Sequence, residues 1–463
     1  MNRSLLLFVV FIMQWLSCKT PERDSNLFGL ATSTSDKVWI VSKEVRVLST
    51  MVVDKEVLIL PGGYFSSAGE ARIKFIGHVT ILGQLSIFDP KLDVEFAPGV
   101  FDYLNPCWFG ANGMDTEDDT ESFQRVFNLI PPGAAIQIII PIGKYYISKQ
   151  IQIEGTPGNN LAMVIHGTST SYSGTNGSSL LWRGQEGESM FLISNTSQTI
   201  IENLDFNAMP GYLLKTNVEL RPNCNQISFR NCYFSGCSGD QSVNIILNEG
   251  NNLQVSELFF ENCIFKGVYA PQQYTSNAVR GGWANTKNFH FSHCAFGPYR
   301  NEAIKIKTSD VLKVDGCTFY LNDVDISCET CKTLATSNYS EESGAFFLST
   351  ASANYNATTL INNQFTGKPV DGFVIRDGSG TLILMNNNFG AGNFLPDYNF
   401  IRWEENDYNS IYSVGNVYKN TNSLDGPFYN RSNQPYRKDR LFSQGDLGGV
   451  LGDRRIKLKD NTH

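Results

Sequence analysis

Six short runs in the second half of the chain have the pattern of β-strands and carry side chains that could do chemistry. The runs are QSVNIIL, SNAVRGG, NEAIKIK, NDVDIS, SGAFFLS and DGFVIRD. Because alternate residues of a strand point to opposite faces, each run has one outward set of side chains. The predicted outward column is Asn244, Arg280, Lys305, Asp325, Phe347 and Arg376, with Lys307 beside Lys305 and Glu302 at the beginning of its strand. The sequence therefore predicts an exposed row of cations around one carboxylate.

This column has the groups that β-elimination in an acidic polysaccharide requires. Cations neutralise the carboxylate of a uronate, which acidifies the proton beside it, and a basic side chain removes that proton. The predicted catalytic residues are Lys305, Asp325 and Arg280, where Asp325 orients the cations or helps to hold a calcium ion. The predicted substrate-binding residues are Arg376, Lys307, Glu302 and Asn244. Calcium is the one cofactor considered, and no set of metal ligands is predicted.

Other interpretations use the same residues. A glycoside hydrolase needs two carboxylates on either side of the scissile bond, and Asp325 and Glu302 are the candidates for that pair. A non-catalytic surface protein that binds glycans or mediates adhesion needs only the exposed strip. A third interpretation is a solvated salt-bridge ladder that contributes little to stability. These alternatives remain open at the level of sequence.

The element that must position these residues is a short pattern that occurs eight times between Ile201 and Tyr418. Each copy begins with Asn, His or Gly, the types that best tolerate a left-handed backbone, and an aromatic residue follows three positions later. Each copy therefore predicts a strand, a one-residue bend and a second strand. The bend residues are Asn203, Asn231, Asn262, His293, Gly316, Asn362, Asn386 and Gly415, and the aromatic residues are Phe206, Phe234, Phe265, Phe296, Phe319, Phe365, Phe389 and Tyr418.

The spacing of the copies indicates a solenoid. Successive bends lie 28, 31, 31, 23, 46, 24 and 29 residues apart, and the gap of 46 predicts one copy without its signature between Cys317 and Asn362. Short strands that return in every coil are typical of a parallel β-helix, whose coils stack about 4.8 Å apart. We expect the bends to form an asparagine ladder and the aromatic residues an internal stack. A leucine-rich horseshoe is disfavoured because its Leu-x-x-Leu-x-Leu pattern is absent.

The cysteines divide into two groups by placement. Cys232, Cys263, Cys294 and Cys317 each follow a bend, which predicts that they stack inside neighbouring coils as small apolar residues. A linear stack of thiols cannot supply a tetrahedral metal site. Cys328 and Cys331 form a CETC segment, predicted as a loop that holds either a disulfide or a redox pair.

The beginning of the chain predicts secretion. Arg3 is followed by an apolar run from Leu5 to Met13, which is too short to span a bilayer as a helix, so residues 1–17 are predicted to be a signal peptide. Leu16-Ser17-Cys18 resembles a loose bacterial lipobox. Cys18 is therefore the predicted lipidation site, and the polar residues 18–28 are the predicted tether. The protein is expected to be a lipoprotein at the outer membrane or cell surface, and to contact the membrane only through this anchor.

Composition limits the partners. The net charge of −8 excludes a basic nucleic-acid footprint, so no nucleic acid is expected as a partner. An aromatic fraction of 12% and forty glycines suit a β-rich secreted protein that binds polar ligands. We therefore expect a polysaccharide as substrate or ligand.

A segment before the repeats resembles a known superfamily. It runs Trp108-Phe109-Gly110-Ala111-Asn112-Gly113, continues through the acidic stretch from Asp115 to Glu121 and an amphipathic helix, and ends in IQIIIPIGKYYIS. Asp118 and Glu121 are predicted to form a capping box for that helix, and Asp118 and Asp119 are therefore interpreted as a helix cap, not as a catalytic pair. Over residues 108–148 this order resembles the opening segment of the pectate-lyase-like superfamily, in its FGAKGDGxTDDT form.

The resemblance implies a fold more strongly than an activity. It implies an all-β chain folded as a single-stranded right-handed parallel β-helix, a pectin-lyase-like solenoid with one short N-terminal capping helix. The NTD and GHG motifs of polygalacturonases and the vWiDH and RxPxxR motifs of pectate lyases are absent from usable positions. Expected boundaries are an N-terminal β-rich cap or early coils over 29–100, the β-helix over 101–420, and a C-terminal cap and tail over 421–463. The expected function is a secreted or surface-anchored carbohydrate-active protein that cleaves an acidic or pectin-like polysaccharide by lyase or glycosidase chemistry, or else a non-catalytic glycan-binding protein.

Overall fold

In a computed structural model of the protein, the described residues are almost entirely β-structure. They are residues 37–82, 86–131, 133–168, 177–239, 241–247, 255–268, 273–282, 287–349, 357–366, 373–376, 381–389, 401–403, 410–418 and 428–430. The predicted signal peptide, the tether, Cys18 and most of the predicted C-terminal tail lie outside these residues. No helix in the described ranges is both long and apolar enough to cross a membrane.

Parallel pairing begins near the start of the described chain. Eight short strands form three small parallel sheets, with the orders β1-β4-β7, β2-β5 and β3-β6-β8. Each strand therefore pairs with the equivalent strand one turn of chain later. The strands are β1 (Val38–Val41), β2 (Glu44–Val47), β3 (Met51–Val53), β4 (Glu56–Ile59), β5 (Tyr64–Ser67), β6 (Arg72–Phe75), β7 (Val79–Ile81) and β8 (Asp93–Phe96).

The segment that resembles the superfamily connects these strands to the repeats. It contains β9 (Tyr103–Leu104), a short 3-10 helix (Pro106–Phe109) and α1 (Thr120–Asn128). The predicted capping box is wrong, because the N-cap of α1 is Asp119 and its side chain makes no capping bond. Asp119 instead accepts hydrogen bonds from the backbone N–H groups of Asn112 (2.8 Å) and Tyr146 (2.9 Å), which ties the helix to its flanking segments. Asp118 accepts from Thr120 N at 3.1 Å, so both aspartates hold backbone at the start of the helix.

The repeats form three parallel arrays of strands. Before the bends lie β10 (Ala135–Ile140), β13 (Ala162–Gly167), β16 (Ser197–Glu202), β19 (Cys224–Arg230), β22 (Val255–Glu261), β25 (Phe289–Ser292), β32 (Ala357–Ile361), β35 (Thr381–Met385) and β38 (Ser410–Val414). After the bends lie β11 (Gly143–Ile147), β14 (Ser178–Trp182), β17 (Leu204–Ala208), β20 (Tyr233–Phe234), β23 (Ile264–Phe265), β26 (Ala295–Phe296), β28 (Thr318–Tyr320), β30 (Tyr339–Glu341), β33 (Gln364–Thr366), β36 (Asn388–Phe389) and β39 (Val417–Tyr418).

The third array carries the predicted site and is called the site face. It consists of β12 (Ile151–Glu154), β15 (Ser189–Ser194), β18 (Thr216–Leu220), β21 (Val243–Leu247), β24 (Asn277–Gly281), β31 (Phe347–Ser349), β34 (Val374–Arg376), β37 (Ile401–Trp403) and β40 (Phe428–Asn430). Two long strands, β27 (Glu302–Asp315) and β29 (Val324–Thr336), begin on the site face and continue into the array before the next bend.

The predicted bends are confirmed. All eight bend residues have positive φ, from +50° at Asn231 to +69° at Gly415. The copy predicted to lack its signature is also present, because Ser337 has φ +57° and lies between Gly316 and Asn362. In that copy Ser340 occupies the aromatic position, and Phe346 fills the gap between Phe319 (6.0 Å between ring centroids) and Phe365 (4.5 Å).

On the N-terminal side of that copy, the aromatic stack is continuous. From Phe206 to Phe319 the successive ring centroids lie 5.2, 4.9, 4.8 and 5.0 Å apart, and these rings are fully buried. Burying one such ring contributes roughly 1.5–3 kcal/mol, so the stack is a main source of stability.

The predicted ladder of bend asparagines is present between Asn203 and Asn231, where Asn231 Nδ2 donates to Asn203 Oδ1 at 3.2 Å, but the longer ladder lies one residue later. Cys232, Cys263, Cys294 and Cys317 follow the first bends and are buried, as expected. In later coils the same slot holds Asn338, Asn363, Asn387 and Asn416, and each buried amide donates to the next at 2.9 Å. A stack of thiols thus continues as a ladder of amides, and the two meet where Cys317 N donates to Asn338 Oδ1 at 2.8 Å.

The CETC segment is not a loop. Cys328 and Cys331 both lie within β29, and both are buried free thiols. Neither forms a disulfide in this structure.

Candidate functional site

A cleft lies on the outer side of the site face, across β24, β27 and β29. It encloses about 190 Å³ and is lined by Arg280, Gly281, Glu302, Lys305, Ile306, Lys307, Ser327 and Glu329. Four of the predicted site residues, Arg280, Lys305, Lys307 and Glu302, therefore meet in one place. Their roles in catalysis and substrate binding remain predictions.

Register explains why the cations meet. Arg280 and Lys305 are direct partners in the parallel pairing of β24 with β27, and Lys305 pairs with Ser327 on β29. Neighbouring strands are about 4.8 Å apart, so the two cationic side chains leave the sheet side by side. Gly281 sits beneath them with φ +148°, and a Cβ there would lie 2.1 Å from the carbonyl oxygen of Leu247. The backbone of the preceding coil therefore requires glycine at the floor of the cleft.

One carboxylate in the cleft is held on both oxygens. Glu302 Oε1 lies 2.9 Å from Lys305 Nζ, and Oε2 accepts a hydrogen bond from Asn277 Nδ2 at 3.3 Å. The Glu302 side chain is 15% exposed, whereas that of Lys305 is 44% exposed. Glu302 is thus an ordered, charge-paired carboxylate whose cationic partner still faces solvent.

The predicted outward positions of Asp325, Asn244 and Phe347 are wrong. All three side chains are fully buried. The reason is that strict alternation fails at the start of the site-face strands, where two consecutive residues face inward: Ala303 and Ile304 in β27, and Asp325 and Ile326 in β29. The positions in register with Arg280 and Lys305 are Glu219, Ile246, Ser327 and Leu348.

Asp325 lies in a polar pocket of the interior. Its Oδ1 accepts from Asn322 Nδ2 at 2.9 Å, and its Oδ2 accepts from Ser340 Oγ at 2.5 Å. Burial raises the pKa of Asp325 to about 7, although the hydroxyls of Ser340 and Ser343 and the Asn322 amide oppose that shift. Asp325 therefore cannot touch a ligand in the cleft.

Asn244 and Arg376 also leave the predicted column. Asn244 Nδ2 donates to Asn217 Oδ1 at 2.9 Å, and Asn244 Oδ1 accepts from the hydroxyl of Tyr299 at 2.5 Å, so its amide is used internally. Arg376 ends β34 in register with Ser349, so it is one residue out of register with the row that contains Lys305, Ser327 and Leu348. The side chain of Arg376 lies outside the described residues.

Three residues that sequence reasoning missed extend the site at the start of the strands. Arg300 lies over the ring of Tyr274, with Cζ 4.4 Å from the ring centroid. Asp323 is the third member, and its pKa is raised by burial first and by the charge of Glu302, while Arg300 lowers it. Asp323 and Glu302 are thus electrostatic neighbours beside a cation. Their signal in the sequence is their position in the loops just before site-face strands, where side chains from adjacent coils converge.

A metal site is not formed by these groups. Within the described ranges, no three His, Cys, Asp or Glu side chains are grouped so that they could hold a metal ion. Asp325, the residue considered for calcium, offers its oxygens to an amide and hydroxyls in the interior.

Comparisons with known proteins were made for sequence and for structure. No protein-family model and no curated protein matches the chain. A crystal structure of DFA-IIIase from Arthrobacter chlorophenolicus A6 in complex with GF2 superimposes with a TM-score of 0.47 and 12% identity, covering 70% of this chain and 87% of that chain. The same enzyme without that molecule gives a TM-score of 0.46 and 11% identity over 72% and 87% of the two chains. The Dettilon tailspike protein gives a TM-score of 0.40 and 10% identity over 72% and 69%.

Proposed function

We propose that this chain binds an acidic polysaccharide across the site face and cleaves it. The observation that carries the proposal is a pair of carboxylates, Glu302 and Asp323, among cations. Glu302 contacts Lys305, which is the register partner of Arg280 in the cleft. Asp323 interacts electrostatically with Arg300 and with Glu302. Cations in a row recognise the carboxylates of successive uronate units, because each cation can form a charge-assisted hydrogen bond to one of them.

Hydrolysis is the reaction that this pair supports best. A glycosidase requires one carboxyl group that donates a proton to the leaving oxygen and one that stays ionised. Asp323 suits the acid because burial raises its pKa, and Glu302 adds to that rise, against the opposing charge of Arg300. Glu302 suits the second role because Lys305 Nζ and Asn277 Nδ2 contact its two carboxylate oxygens. Asp323 thereby replaces Asp325 in the pair considered from the sequence.

β-Elimination is the second candidate, and the adjacent Arg280 and Lys305 favour it. In that reaction the two cations neutralise a uronate carboxylate, and a basic group removes the neighbouring proton. The engagement of Lys305 by Glu302 at 2.9 Å makes Lys305 a binding cation in the structure, which is why elimination ranks second.

A panel of polyuronates and neutral pectins tests the proposal. Hydrolysis produces new reducing ends without ultraviolet absorbance, whereas elimination produces both a reducing end and an absorbing unsaturated sugar. Binding without any product would support the non-catalytic glycan-binding protein instead. If no acidic polysaccharide is bound and none is cleaved, the proposal is overturned.

The finer features of architecture and location are also proposals. We propose a right-handed parallel β-helix of the pectate-lyase-like superfamily, capped by α1, with boundaries at 29–100, 101–420 and 421–463.

A signal peptide over 1–17, a tether over 18–28 and a lipid on Cys18 would place the protein at the outer membrane or cell surface. Metabolic labelling with a radioactive fatty acid tests the anchor. Label should appear on the wild-type chain and disappear in Cys18→Ser.

A further inference from the structure

A buried polar network lies directly behind the loops that carry Arg300 and Asp323. Its centre is Asn322, whose backbone adjoins Asp323. The Oδ1 atom of Asn322 accepts from the backbone N–H of Tyr299 at 3.0 Å, and Tyr299 adjoins Arg300. Its Nδ2 atom donates to Asp325 Oδ1 at 2.9 Å. One amide thus connects the loop before β27 to the loop before β29.

Asp325 anchors this amide to a third coil. Its second oxygen accepts from Ser340 Oγ at 2.5 Å, and Ser343 Oγ accepts from Asn322 N at 3.3 Å. Ser340 stands where other coils have a stacked aromatic residue, and Phe346 continues the ring contacts beside it. The hydroxyl of Ser340 therefore gives Asp325 a buried partner that a phenyl ring at this position could not provide.

The network continues from Tyr299 along the interior. The Tyr299 hydroxyl donates to Asn244 Oδ1 at 2.5 Å, and Asn244 donates to Asn217 at 2.9 Å. Asn217 Oδ1 also accepts from Cys237 Sγ at 3.2 Å. All of these side chains are fully buried or nearly so, so their hydrogen bonds fix the loops without exchange with solvent.

We infer that Asp325 and Asn322 are positioning residues that hold the loops bearing Arg300 and Asp323 in the arrangement that the cleft needs. This inference rests on the proposed function of the cleft. Neither side chain touches the ligand. Their role is to fix the backbone at Tyr299 and Asn322. The backbone of the two loops is also linked directly, because Asp323 N donates to Tyr299 O at 3.1 Å.

The groups that face Asp325 are neutral. They are the amide of Asn322 and the hydroxyls of Ser340 and Ser343, while Asp323, Glu302 and Arg300 lie on the outer side of the same loops. Asparagine can therefore replace Asp325 with the same shape. Its Oδ1 still accepts from Asn322, and its Nδ2 donates to Ser340 Oγ. Alanine cannot make either bond.

Hydrogen exchange on the full chain tests the positioning role without any substrate. In Asp325→Ala, amides of 299–301 and 321–324 should exchange at least about tenfold faster than in the wild type, while those of distant coils keep their rates. Asp325→Asn should restore exchange that is at least as slow as that of the wild type. Ser340→Ala, which removes one bond and keeps the carboxyl group, should give an intermediate change and covers the case in which Asp325→Ala does not fold. Asp310→Asn, an exposed aspartate in β27, is the matched control.

Kinetics then separates this inference from the proposed function. With an active substrate, kcat should fall by about 10–100-fold in Asp325→Ala and recover in Asp325→Asn, with KM changed less. If no glycan is cleaved or bound, the proposed function fails, yet local exchange in the two loops still decides the positioning role. Faster exchange in every coil, or no local change in either Asp325→Ala or Ser340→Ala, would overturn the inference.

Discussion

The ammonium group of Lys305 lies 2.9 Å from a carboxylate oxygen of Glu302, three residues earlier in the same strand. Regular alternation would place these two side chains on opposite faces of β27. They meet because Ala303 and Ile304 both face inward. The same irregularity in β29 turns Asp325 into the interior. One local departure from the pleat thus creates an ion pair in the cleft and the buried network behind it.

Lys305→Ala should weaken binding of an acidic oligosaccharide about tenfold or more, because a charged hydrogen bond contributes roughly 1.5–3 kcal/mol. Glu302 also loses its cationic partner, so repulsion of an anionic ligand should increase. Titration calorimetry at two salt concentrations measures the effect, and the loss should be smaller at high salt. Lys313→Ala removes a half-buried lysine from the continuation of the same strand and serves as the control. Equal losses in the two variants would show that only net charge matters.

Asp323→Asn should reduce kcat by about 10²–10⁴-fold on a substrate that the wild type hydrolyses, with little change in binding. The amide keeps the shape of the carboxyl group but cannot donate its proton to the leaving oxygen. Reducing-end assays give the rate, and calorimetry with an uncleaved oligosaccharide gives the affinity. Asp310→Asn should keep full activity because Asp310 lies beyond the cleft on an exposed stretch. Retention of wild-type kcat in Asp323→Asn would remove Asp323 from the mechanism.

The fold and half of the site could be predicted because they depend on local signals. A left-handed bend favours Asn, His or Gly, so these residue types identified all eight predicted bends, and the spacing indicated the further copy whose bend is Ser337. Arg280 and Lys305 were aligned correctly because each cation lies between two inward residues of its strand, Val279 and Gly281 in one case and Ile304 and Ile306 in the other. The positions of Asp325 and Asn244 were predicted wrongly. Two consecutive residues face inward at the start of these strands, and this depends on how loops from neighbouring coils cover the strand. Arg300, Tyr274 and Asp323 were missed for the same reason, since they meet only across coils.

Asp325→Asn should make the protein more stable at pH 8 and leave its stability at pH 4 nearly unchanged relative to the wild type. The folded-state pKa of Asp325 is raised to about 7, whereas an unfolded aspartate has a pKa of about 3.9. Between these values the folded state binds the extra proton, so stability falls as pH rises through this window, and the full loss is reached above pH 7. The maximum difference is on the order of 4 kcal/mol.

Thermal melting of both proteins at intervals from pH 4 to pH 8 measures this difference. Other titrating groups, including Asp119 with its raised pKa of about 6, act equally in both chains and cancel. The melting temperature of Asp325→Asn minus that of the wild type should therefore rise with pH. Asp310→Asn should give a flat difference. A flat difference for Asp325→Asn as well would mean that Asp325 titrates normally in the folded chain.

Asn363→Ala should destabilise the fold by about 2–4 kcal/mol, because it leaves buried groups in two neighbouring coils without partners. Asn363 Nδ2 donates to Ala335 O and to Asn387 Oδ1, both at 2.9 Å, and its Oδ1 accepts from Asn338 Nδ2. The residue before it provides the control. Asn362 is the bend itself, with φ +55°, and Asn362→Gly should be nearly neutral because glycine adopts that backbone without strain. Chemical denaturation gives both values. If Asn362→Gly cost as much as Asn363→Ala, the bend residue would carry the ladder after all, as the sequence alone suggested.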